Sequence, residues 1–272
     1  MKNFEGRVAV ITGAGSGIGR ALALNLAQKG CKLALSDIRA ESVAETAKLC
    51  ETYTRDIMHD ALDVADKKAM QAYPEKVVQK FGGANIVINN AGVAVAATVE
   101  ETSIEDYEWL MGINWWGVLY GTKFFLPHLR KADEAHIVNI SSVFGIIGVP
   151  TQSAYNAAKF AVRGFTESLR QELEDTHIGV SCVHPGGIKT NIAAYARYKS
   201  GPNGDTNHAS AAEKFAKLAR TTPDEAAATI VKGIEKKTPR VLIGADAVAI
   251  DVMARTMPES YTTVLGQLLK LG

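Results

Sequence analysis

The sequence predicts one α/β domain, a doubly wound parallel sheet of seven strands with helices on both faces. Short apolar, β-branched runs alternate with longer helical stretches from the N-terminus onward. Strands that are apolar along their whole length are typical of parallel sheets covered on both faces. Crossovers between such strands are nearly always right-handed, which gives an open, doubly wound sheet. No Pro/Ser-rich linker and no repeat divides the 272 residues, so we expect a single domain over residues 1–272.

Seven strands and the helices between them follow from this alternation. The predicted strands are 7–12 (RVAVIT), 32–36, one ending near residue 62, 85–88, 136–140, 179–184 and 240–243. The predicted helices are 18–29, one from about residue 41, 66–81, a long one after Ser103, and 153–174.

Two segments lie outside this alternation. A Gly-Pro-Asn-Gly run at 201–204 lies among small and polar residues and predicts a long loop over about 191–220. Because it follows the sixth strand, at the edge of the sheet where ligands bind, we expect a substrate loop. The pattern over about 245–272 is helical, with Val248, Val252 and Met253 on one face. This predicts a helical C-terminal extension that packs on the domain, with lining of the substrate entrance or an oligomer contact as alternatives.

The bulk composition excludes several classes of protein. Hydrophobic residues make up 47% of the chain and charged residues 22%, which is typical of a globular protein. The net charge of +1 includes no basic stripe, so no nucleic-acid partner is expected. No stretch approaches the ~18 apolar residues of a membrane span, and the N-terminus has no secretion signal. We therefore expect no membrane span and a cytoplasmic location.

Cysteines and histidines give no sign of a metal. The three cysteines, Cys31, Cys50 and Cys182, are far apart and include no CxxC pair, so neither disulfides nor a thiolate site is expected. The six histidines include no ligand spacing such as HxxxH. We expect no catalytic metal.

A glycine-rich turn follows the first predicted strand. The run TGAGSGIG at 12–19 leads directly into a helix. Glycines let the backbone turn tightly and approach a pyrophosphate, and the helix N-terminus offers free N–H groups. The strand–turn–helix context predicts a dinucleotide site. Its expected cofactor contacts are Gly13, Gly15, Ser16, Gly17, Ile18 and Gly19.

The second predicted strand leads to an acid that bears on the choice of cofactor. Asp37 follows the glycine turn at close to the ~20-residue spacing of an acid that binds the adenosine ribose. Its carboxylate would accept hydrogen bonds from both ribose hydroxyls and repel a 2′-phosphate. Ser16 is neutral where a basic residue would help to bind NADP, whereas Arg39 could attract that phosphate. The sequence favours NAD, with NADP as the alternative.

These residues and others downstream resemble one family. TGAGSGIG at 12–19, NNAG at 89–92, Asn114, Ser142, Tyr155-x-x-x-Lys159 and Pro185-Gly186 occur in the order found in short-chain dehydrogenases/reductases. The resemblance spans roughly residues 5–245 and is closest to the compact single-domain branch, which has a Rossmann fold. A second YxxxK, from Tyr195 to Lys199, lies in the Gly/Pro-containing loop, so position along the fold selects Tyr155.

The resemblance implies a role for each matching residue. It makes Asn114, Ser142, Tyr155 and Lys159 catalytic, with Asn114 at a local perturbation of its helix. Further cofactor contacts are implied for Asp63, Val64, Asn90, Ala91, Gly92, Tyr155, Lys159, Pro185, Gly186, Ile188 and Thr190. Asp66 could instead cap the next helix. Strand alternation allows only one of Ser141 and Ser142 to reach the site, and the family's spacing selects Ser142.

The chemistry of the tyrosine and lysine fits this assignment. Tyr155 and Lys159 are four residues apart in a helical segment and therefore share one helix face. A phenol of pKa ~10 is a poor base at neutral pH. We expect the ammonium and a positively charged nicotinamide to favour the phenolate.

The sequence therefore predicts an oxidoreductase that transfers a hydride between a nicotinamide cofactor and a secondary alcohol or ketone. The apolar run VAVAA at 93–97 and the tyrosines of the loop suggest a hydrophobic substrate. An NADPH-dependent ketone or 3-oxoacyl reductase is the alternative. A non-catalytic cofactor-binding protein is disfavoured, because the serine, tyrosine and lysine are all present. The family is commonly dimeric or tetrameric through its long helices, and Trp115 and Trp116 lie in one candidate.

Overall fold

The computed structural model describes residues 1–201 and 204–270 and contains nine strands in that part of the chain. The strands are β1 (Val8–Thr12), β2 (Lys32–Asp37), β3 (Ile57–Ala61), β4 (Ile86–Asn89), β5 (Val95–Ala96), β6 (Ala135–Ile140), β7 (Ile178–Pro185), β8 (Arg197–Tyr198) and β9 (Arg240–Ile243). Pro202 and Asn203 of the predicted loop, and the last two residues of the predicted extension, lie outside the described residues.

Ten α-helices alternate with the strands in the described ranges. They are α1 (Gly17–Gln28), α2 (Ala40–Cys50), α3 (Lys67–Phe81), α4 (Ile104–Met111), α5 (Gly117–Leu129), α6 (Ser153–Glu172), α7 (His208–Leu218), α8 (Pro223–Glu235), α9 (Ala245–Thr256) and α10 (Tyr261–Lys270). A π-helical turn, Gly112–Trp116, joins α4 to α5, and a 3-10 turn, Val143–Gly145, follows β6.

The central sheet confirms the predicted doubly wound fold. Its seven strands are all parallel, in the order β3-β2-β1-β4-β6-β7-β9. Ile11 and Ile88 belong to a core cluster shared with α1 and α8, whereas Val10 and Val87 belong to one shared with α3 and α5. Both faces of the strands are therefore covered. The strand order reverses between β1 and β4, and such a switch point opens a ligand crevice at the carboxyl edge.

The predicted substrate loop is more ordered than expected, and the loop assignment was wrong for its second half. Residues 208–218 (HASAAEKFAKL) form α7, whose first turn is capped by Asn207. Alanine, lysine and glutamate are strong helix formers, and this outweighs the nearby Gly/Pro signal. In the first half, β8 pairs in parallel with β5, with Arg197 opposite Val95.

The C-terminal extension is helical as predicted, but Val248 and Val252 do not pack on the domain. Val248 and Val252 are 48% and 54% exposed, whereas Ala247 and Asp251 are buried. Asp251 turns inward because it forms ion pairs with Arg240 and Arg255. In the described part of the chain, no helix is both long and apolar enough to cross a membrane.

Candidate active site

The glycine turn lies at the carboxyl end of β1 and leaves the first N–H groups of α1 open. Ser16 precedes the helix without a side-chain capping bond, and the first turn carries no acid. A Cβ on Gly13 would lie 2.8 Å from the Cα of Ala91, and one on Gly19 would overlap the carbonyl of Gly13. The backbone is therefore packed as closely as glycine allows, beside a helix N-terminus suited to a phosphate.

The end of β4 holds the glycine turn in place. The hydroxyl of Thr12 accepts hydrogen bonds from the backbone N–H groups of Asn90 (3.0 Å) and Ala91 (3.1 Å). The Asn90 amide donates to the carbonyls of Thr12 (2.9 Å) and Gly13 (3.1 Å). These bonds join β1 and β4 at the switch point. Asn90 and Ala91 therefore hold the glycine turn against β4. Thr12, which receives two of these bonds, was not singled out from the sequence.

Asp37 lies at the end of β2, directly under the glycine turn. Its carboxylate accepts the Gly15 N–H at 2.9 Å and the Arg39 N–H at 3.0 Å. The Arg39 guanidinium lies 3.8 Å from the same carboxylate and donates to Ser16 Oγ at 3.3 Å. A cavity of about 290 Å³ adjoins these groups. Its lining residues are Gly15, Ser16, Gly17, Arg20, Arg39, Ser42, Asn191 and Tyr195. An acid and two arginines thus meet where the ribose of a dinucleotide would bind.

The other predicted cofactor contacts lie along the same edge of the sheet. Val64 is buried against Gly117, and Asp63 is exposed and accepts the Ala65 N–H. Asp66 caps α3 by accepting two backbone N–H groups, as the competing interpretation held. Asp63 and Val64 lie in the loop between the end of β3 and the start of α3.

The Pro-Gly-Gly turn after β7 is fixed by an acid that the sequence did not reveal. Asp246 accepts the Gly187 N–H at 2.7 Å and lies where any side chain on Gly186 would be. Ile188 is buried, and the Thr190 side chain lies 3.1 Å from the position of a Cβ on Gly17. This turn, which begins at Pro185, therefore brings its Thr190 end against the glycine turn.

Lys159 is buried beneath the end of β6. Its side chain is 3% exposed, and Nζ donates to the carbonyl of Ile140 at 3.0 Å. Among the described residues no carboxylate forms an ion pair with it, and burial lowers the pKa of the ammonium to about 8. Gly92 fits against this site, since a Cβ there would lie 3.6 Å from Nζ.

Tyr155 lies one helical turn before Lys159 on α6. The lysine Nζ is 5.4 Å from the centre of the phenol ring, and Phe144 contacts the same ring edge-on at 6.0 Å. Burial raises the pKa of Tyr155 to about 12, although the neighbouring Ser142 hydroxyl acts in the opposite direction. The protein without cofactor therefore favours the neutral phenol, and the expectation that the ammonium and a positively charged nicotinamide together favour the phenolate stays a prediction.

The two serines after β6 separate into different environments. The Ser141 hydroxyl donates to the Lys159 carbonyl at 2.8 Å and is buried in the packing of α6. Ser142 begins the 3-10 turn and accepts the Phe144 N–H at 3.1 Å, beside Tyr155. The structure thus brings Ser142, and not Ser141, next to the phenol.

Asn114 occupies the π-helical turn between α4 and α5. Its side chain is fully buried and makes two 2.8 Å hydrogen bonds with the backbone of Val93, one as acceptor and one as donor. Both its Oδ1 and Lys159 Nζ lie within 4 Å of the Gly92 Cβ position. The extra residue of the π turn turns the Asn114 side chain inward, and such turns are frequent at functional sites.

Two further residues position the site and were not predicted. Asn156 donates to the carbonyls of Phe144 and Ile147, both at 2.7 Å, and so fastens the segment after Ser142 to α6. His184 Nδ1 lies 3.1 Å from the Ser142 carbonyl, and burial lowers the pKa of His184 to about 4. No local pattern marks either residue, because each bonds to backbone carbonyls that lie nine or more residues away along the chain.

Comparison with known proteins agrees with this geometry. The family "short chain dehydrogenase" matches residues 7–200. The chain belongs to the short-chain dehydrogenase/reductase family. It is 52% identical to the putative oxidoreductase SadH of Mycobacterium tuberculosis over 264 residues, covering 96% of this chain and 94% of that protein. As a member of this family it is an oxidoreductase that uses a nicotinamide cofactor.

Two other family members extend the comparison. A short-chain dehydrogenase/reductase from Burkholderia phymatum, solved in complex with NAD, superposes with a TM-score of 0.86 at 30% identity, covering 95% of this chain and 96% of that one. The 3-oxoacyl-[acyl-carrier-protein] reductase FabG of Thermotoga maritima is 38% identical over 187 residues, 69% of this chain and 76% of that protein. Among the residues described, no group of three or more His, Cys, Asp or Glu is arranged to hold a metal.

The burial of Lys159 gives a stability prediction. Because the ammonium is buried, its charge destabilises the fold below pH 8, and this penalty disappears as the pH rises from about 8 towards the unfolded value of 10.5. We expect Lys159→Met to stabilise the protein without cofactor by roughly 2–3 kcal/mol at pH 7. Urea unfolding at pH 7 and pH 10 should give a smaller difference at the higher pH. A Lys48→Met control at an exposed position on α2 should show no such trend, and a pH-independent difference would contradict the assignment.

Proposed function

We propose that this enzyme transfers a hydride between NAD and a hydrophobic secondary alcohol or ketone. The observation that carries the proposal is the convergence of Ser142, Tyr155 and Lys159 beside the glycine turn. Ser142 follows β6, the strand next to β4, at the carboxyl edge of the sheet. Tyr155 and Lys159 lie on α6, which packs against the end of β6. A substrate oxygen between the serine and the tyrosine would meet two hydroxyl donors.

The cofactor cradle fits a dinucleotide. The turn from Gly13 to Gly19 has no room for side chains at its closest approaches, and the open N–H groups at the start of α1 suit a pyrophosphate. Lys159 would hold the nicotinamide ribose, and the turn from Pro185 to Thr190 would orient the ring. A nicotinamide bound there supplies the redox chemistry by accepting or returning a hydride.

The side chains transfer one proton to or from the substrate oxygen. On reduction of a ketone, the neutral phenol of Tyr155 donates its proton to the substrate oxygen while the Ser142 hydroxyl stabilises the developing charge. Lys159 lies close enough to make loss of that proton easier. Asn114, next to Lys159, would hold a water that exchanges protons with Lys159. On oxidation of an alcohol, Tyr155 must first lose its own proton, and the phenolate then takes the hydroxyl proton of the substrate.

The surroundings of Tyr155 support an apolar substrate. Phe144, which is half-buried, contacts the phenol ring edge-on at 6.0 Å. Val95 and Ala97, predicted to line the pocket, are instead buried in the cluster under α4 and α6, which leaves Val93 and Ala94 half-buried at the site. Tyr261, at the start of α10, accepts the Gly148 N–H at 3.1 Å and so brings the C-terminal helix over this segment.

The role of Tyr155 can be tested by removing one oxygen. Tyr155→Phe keeps the ring packed on Phe144 but removes the proton donor, so we expect turnover to fall about 10²- to 10⁴-fold. NADH binding, followed by fluorescence, should persist. Tyr53→Phe, at an exposed position outside the site, serves as the control. Substantial turnover by Tyr155→Phe would exclude this residue as the proton donor.

The preference for NAD rests on the Asp37 carboxylate. Asp37→Asn retains an oxygen for the Gly15 N–H but removes the charge that would repel a 2′-phosphate. We expect the ratio of kcat/KM with NAD to that with NADP to fall about tenfold. Arg39→Ala should raise the ratio, because it removes the cation next to that position. Asp56→Asn, an exposed acid outside the site, is the control. A wild-type enzyme faster with NADP would favour the alternative.

That alternative is an NADPH-dependent ketone or 3-oxoacyl reductase. Two observations favour it: Arg20 and Arg39 both line the cavity beside Asp37, and the Thermotoga maritima relative is named for 3-oxoacyl-carrier-protein reduction. Arg20 is already occupied, however, since it donates to the Gly15 carbonyl and to Glu45. Of the two arginines, only Arg39 would be left to pair with a 2′-phosphate, and the Asp37 carboxylate 3.8 Å from its guanidinium would repel that phosphate. We therefore place this function second.

We further propose a homodimer or homotetramer formed through α5 and α6. Trp116, Tyr120 and Phe124 form a continuous aromatic row, with ring centres 5.8 and 5.7 Å apart. Trp116 is 45% exposed, and Phe160 on α6 is 42% exposed. A row of aromatic rings with an exposed end is the kind of surface found in interface cores, since aromatic side chains are enriched there. The cytoplasmic location stays a prediction.

Oligomer formation can be tested at the centre of this row. Trp116→Glu places a charge where a second copy would pack, so we expect the mass measured by light scattering to drop to that of a smaller species. Val99→Glu, at another exposed apolar position, should leave the mass unchanged. A wild-type monomer at micromolar concentration would overturn the proposal.

A further inference from the structure

A second cavity lies between α6, the β7–β9 edge of the sheet and α9, beyond the catalytic end of α6. Its volume is about 500 Å³. The residues that line it are Arg163, Glu167, Arg170, Gln171, Cys182, Pro239, Arg240 and Arg255. Neither the proposed reaction nor the cofactor uses these groups. Four of the lining residues are arginines, which concentrates positive charge around the cavity.

The acids at this cavity neutralise only part of its charge. Glu167 forms ion pairs with Arg163 at 2.9 Å and with Arg240 at 3.4 Å. Asp251, buried in α9, forms ion pairs with Arg240 and, at 3.1 Å, with Arg255. Two carboxylates are thus shared among three guanidinium groups.

The fourth arginine has no partner in the part of the chain that the structure describes. Arg170 is half-buried, and it forms neither an ion pair nor a hydrogen bond with any described residue. Its five N–H donors therefore remain available at the cavity wall. The Nε of Arg240, buried just behind the wall, also lacks an acceptor among the described residues. With four cations and two anions, the cavity keeps two positive charges.

The remaining groups at the cavity do not offset this charge. The Cys182 thiol lies beside Arg240 in the sheet register, and burial raises its pKa to about 12, so it is neutral at physiological pH. Gln171 carries no charge, and its amide donates to the Glu167 carbonyl. A guanidinium group can donate two parallel hydrogen bonds to the paired oxygens of a phosphate or carboxylate group. Salt screens the charges of these arginines less in a half-enclosed cavity than at an open surface.

We propose that this cavity is a binding site for a small oxyanion with two negative charges, such as a phosphate or dicarboxylate group. Arg170 is its principal ligand, and the guanidinium groups of Arg163, Arg240 and Arg255 supply the surrounding field. The site is separate from the glycine turn, because Arg163 already lies one helical turn beyond Lys159 and Arg170 lies farther along α6.

Calorimetry on the enzyme saturated with NADH tests this proposal, since the cofactor then occupies the glycine turn. Inorganic phosphate and malonate are titrated separately at constant ionic strength, with chloride as the monoanion reference. We expect saturable phosphate binding to one site per chain, absent with chloride. Malonate binding as tightly as phosphate would assign the site to dicarboxylates as well, and weaker malonate binding would restrict it to phosphate groups.

Variants of the unpaired arginine complete the test. Arg170→Gln breaks no ion pair, so the fold should survive, and phosphate binding should weaken on the order of tenfold. Arg170→Lys should retain part of the affinity because it keeps the charge. Arg130→Gln removes a charge from the exposed end of α5 and should leave binding unchanged. The absence of saturable phosphate binding in the wild type, or equal binding by Arg170→Gln and Arg130→Gln, would overturn the proposal.

Discussion

The burial of the Lys159 ammonium is the constraint on which the rest of the site depends. Its Nζ reaches the Ile140 carbonyl, its own carbonyl accepts the Ser141 hydroxyl, and Gly145 has no side chain where it meets the Lys159 backbone. Each contact requires α6 to lie directly against the end of β6. Once the helix is there, the 3-10 turn after β6 brings Ser142 beside Tyr155. The geometry of the proposed catalytic residues therefore follows from one close helix–strand contact.

The same burial sets the protonation states. Desolvation lowers the pKa of Lys159 to about 8 and raises that of Tyr155 to about 12, so both groups hold their protons at neutral pH when the protein is alone. An ammonium without a buried carboxylate partner costs folding stability, and functional sites commonly retain such local conflicts. The site is thus suited to donate a proton, and a positive charge nearby is needed before the phenol can accept one.

The segment after β7 connects the two halves of the site. Thr190 lies against the glycine turn, and the Tyr195 ring lies 5.1 Å from the Arg39 guanidinium. Farther along, Arg197 stacks on Trp109 at 3.6 Å and pairs with Asp106 at 2.9 Å, which ties β8 to α4. The segment therefore forms a bridge from the cofactor turn to the substrate side. Lys199 joins this bridge by pairing with Asp106 at 3.1 Å, so the lysine of the second YxxxK spacing belongs to a salt bridge and lies apart from Tyr155.

By itself the sequence determined the seven strands of the central sheet, the glycine turn and the shared helix face of Tyr155 and Lys159, because each depends on neighbours within a few residues. Tertiary structure decided whether Ser141 or Ser142 faces the phenol, since alternation along a strand permits either and only the position of α6 selects one. It also turned Asp251 inward and Val248 outward on α9, because an ion pair with Arg240 outweighed the local apolar pattern. Such partners are brought together only by folding, so no local periodicity records them.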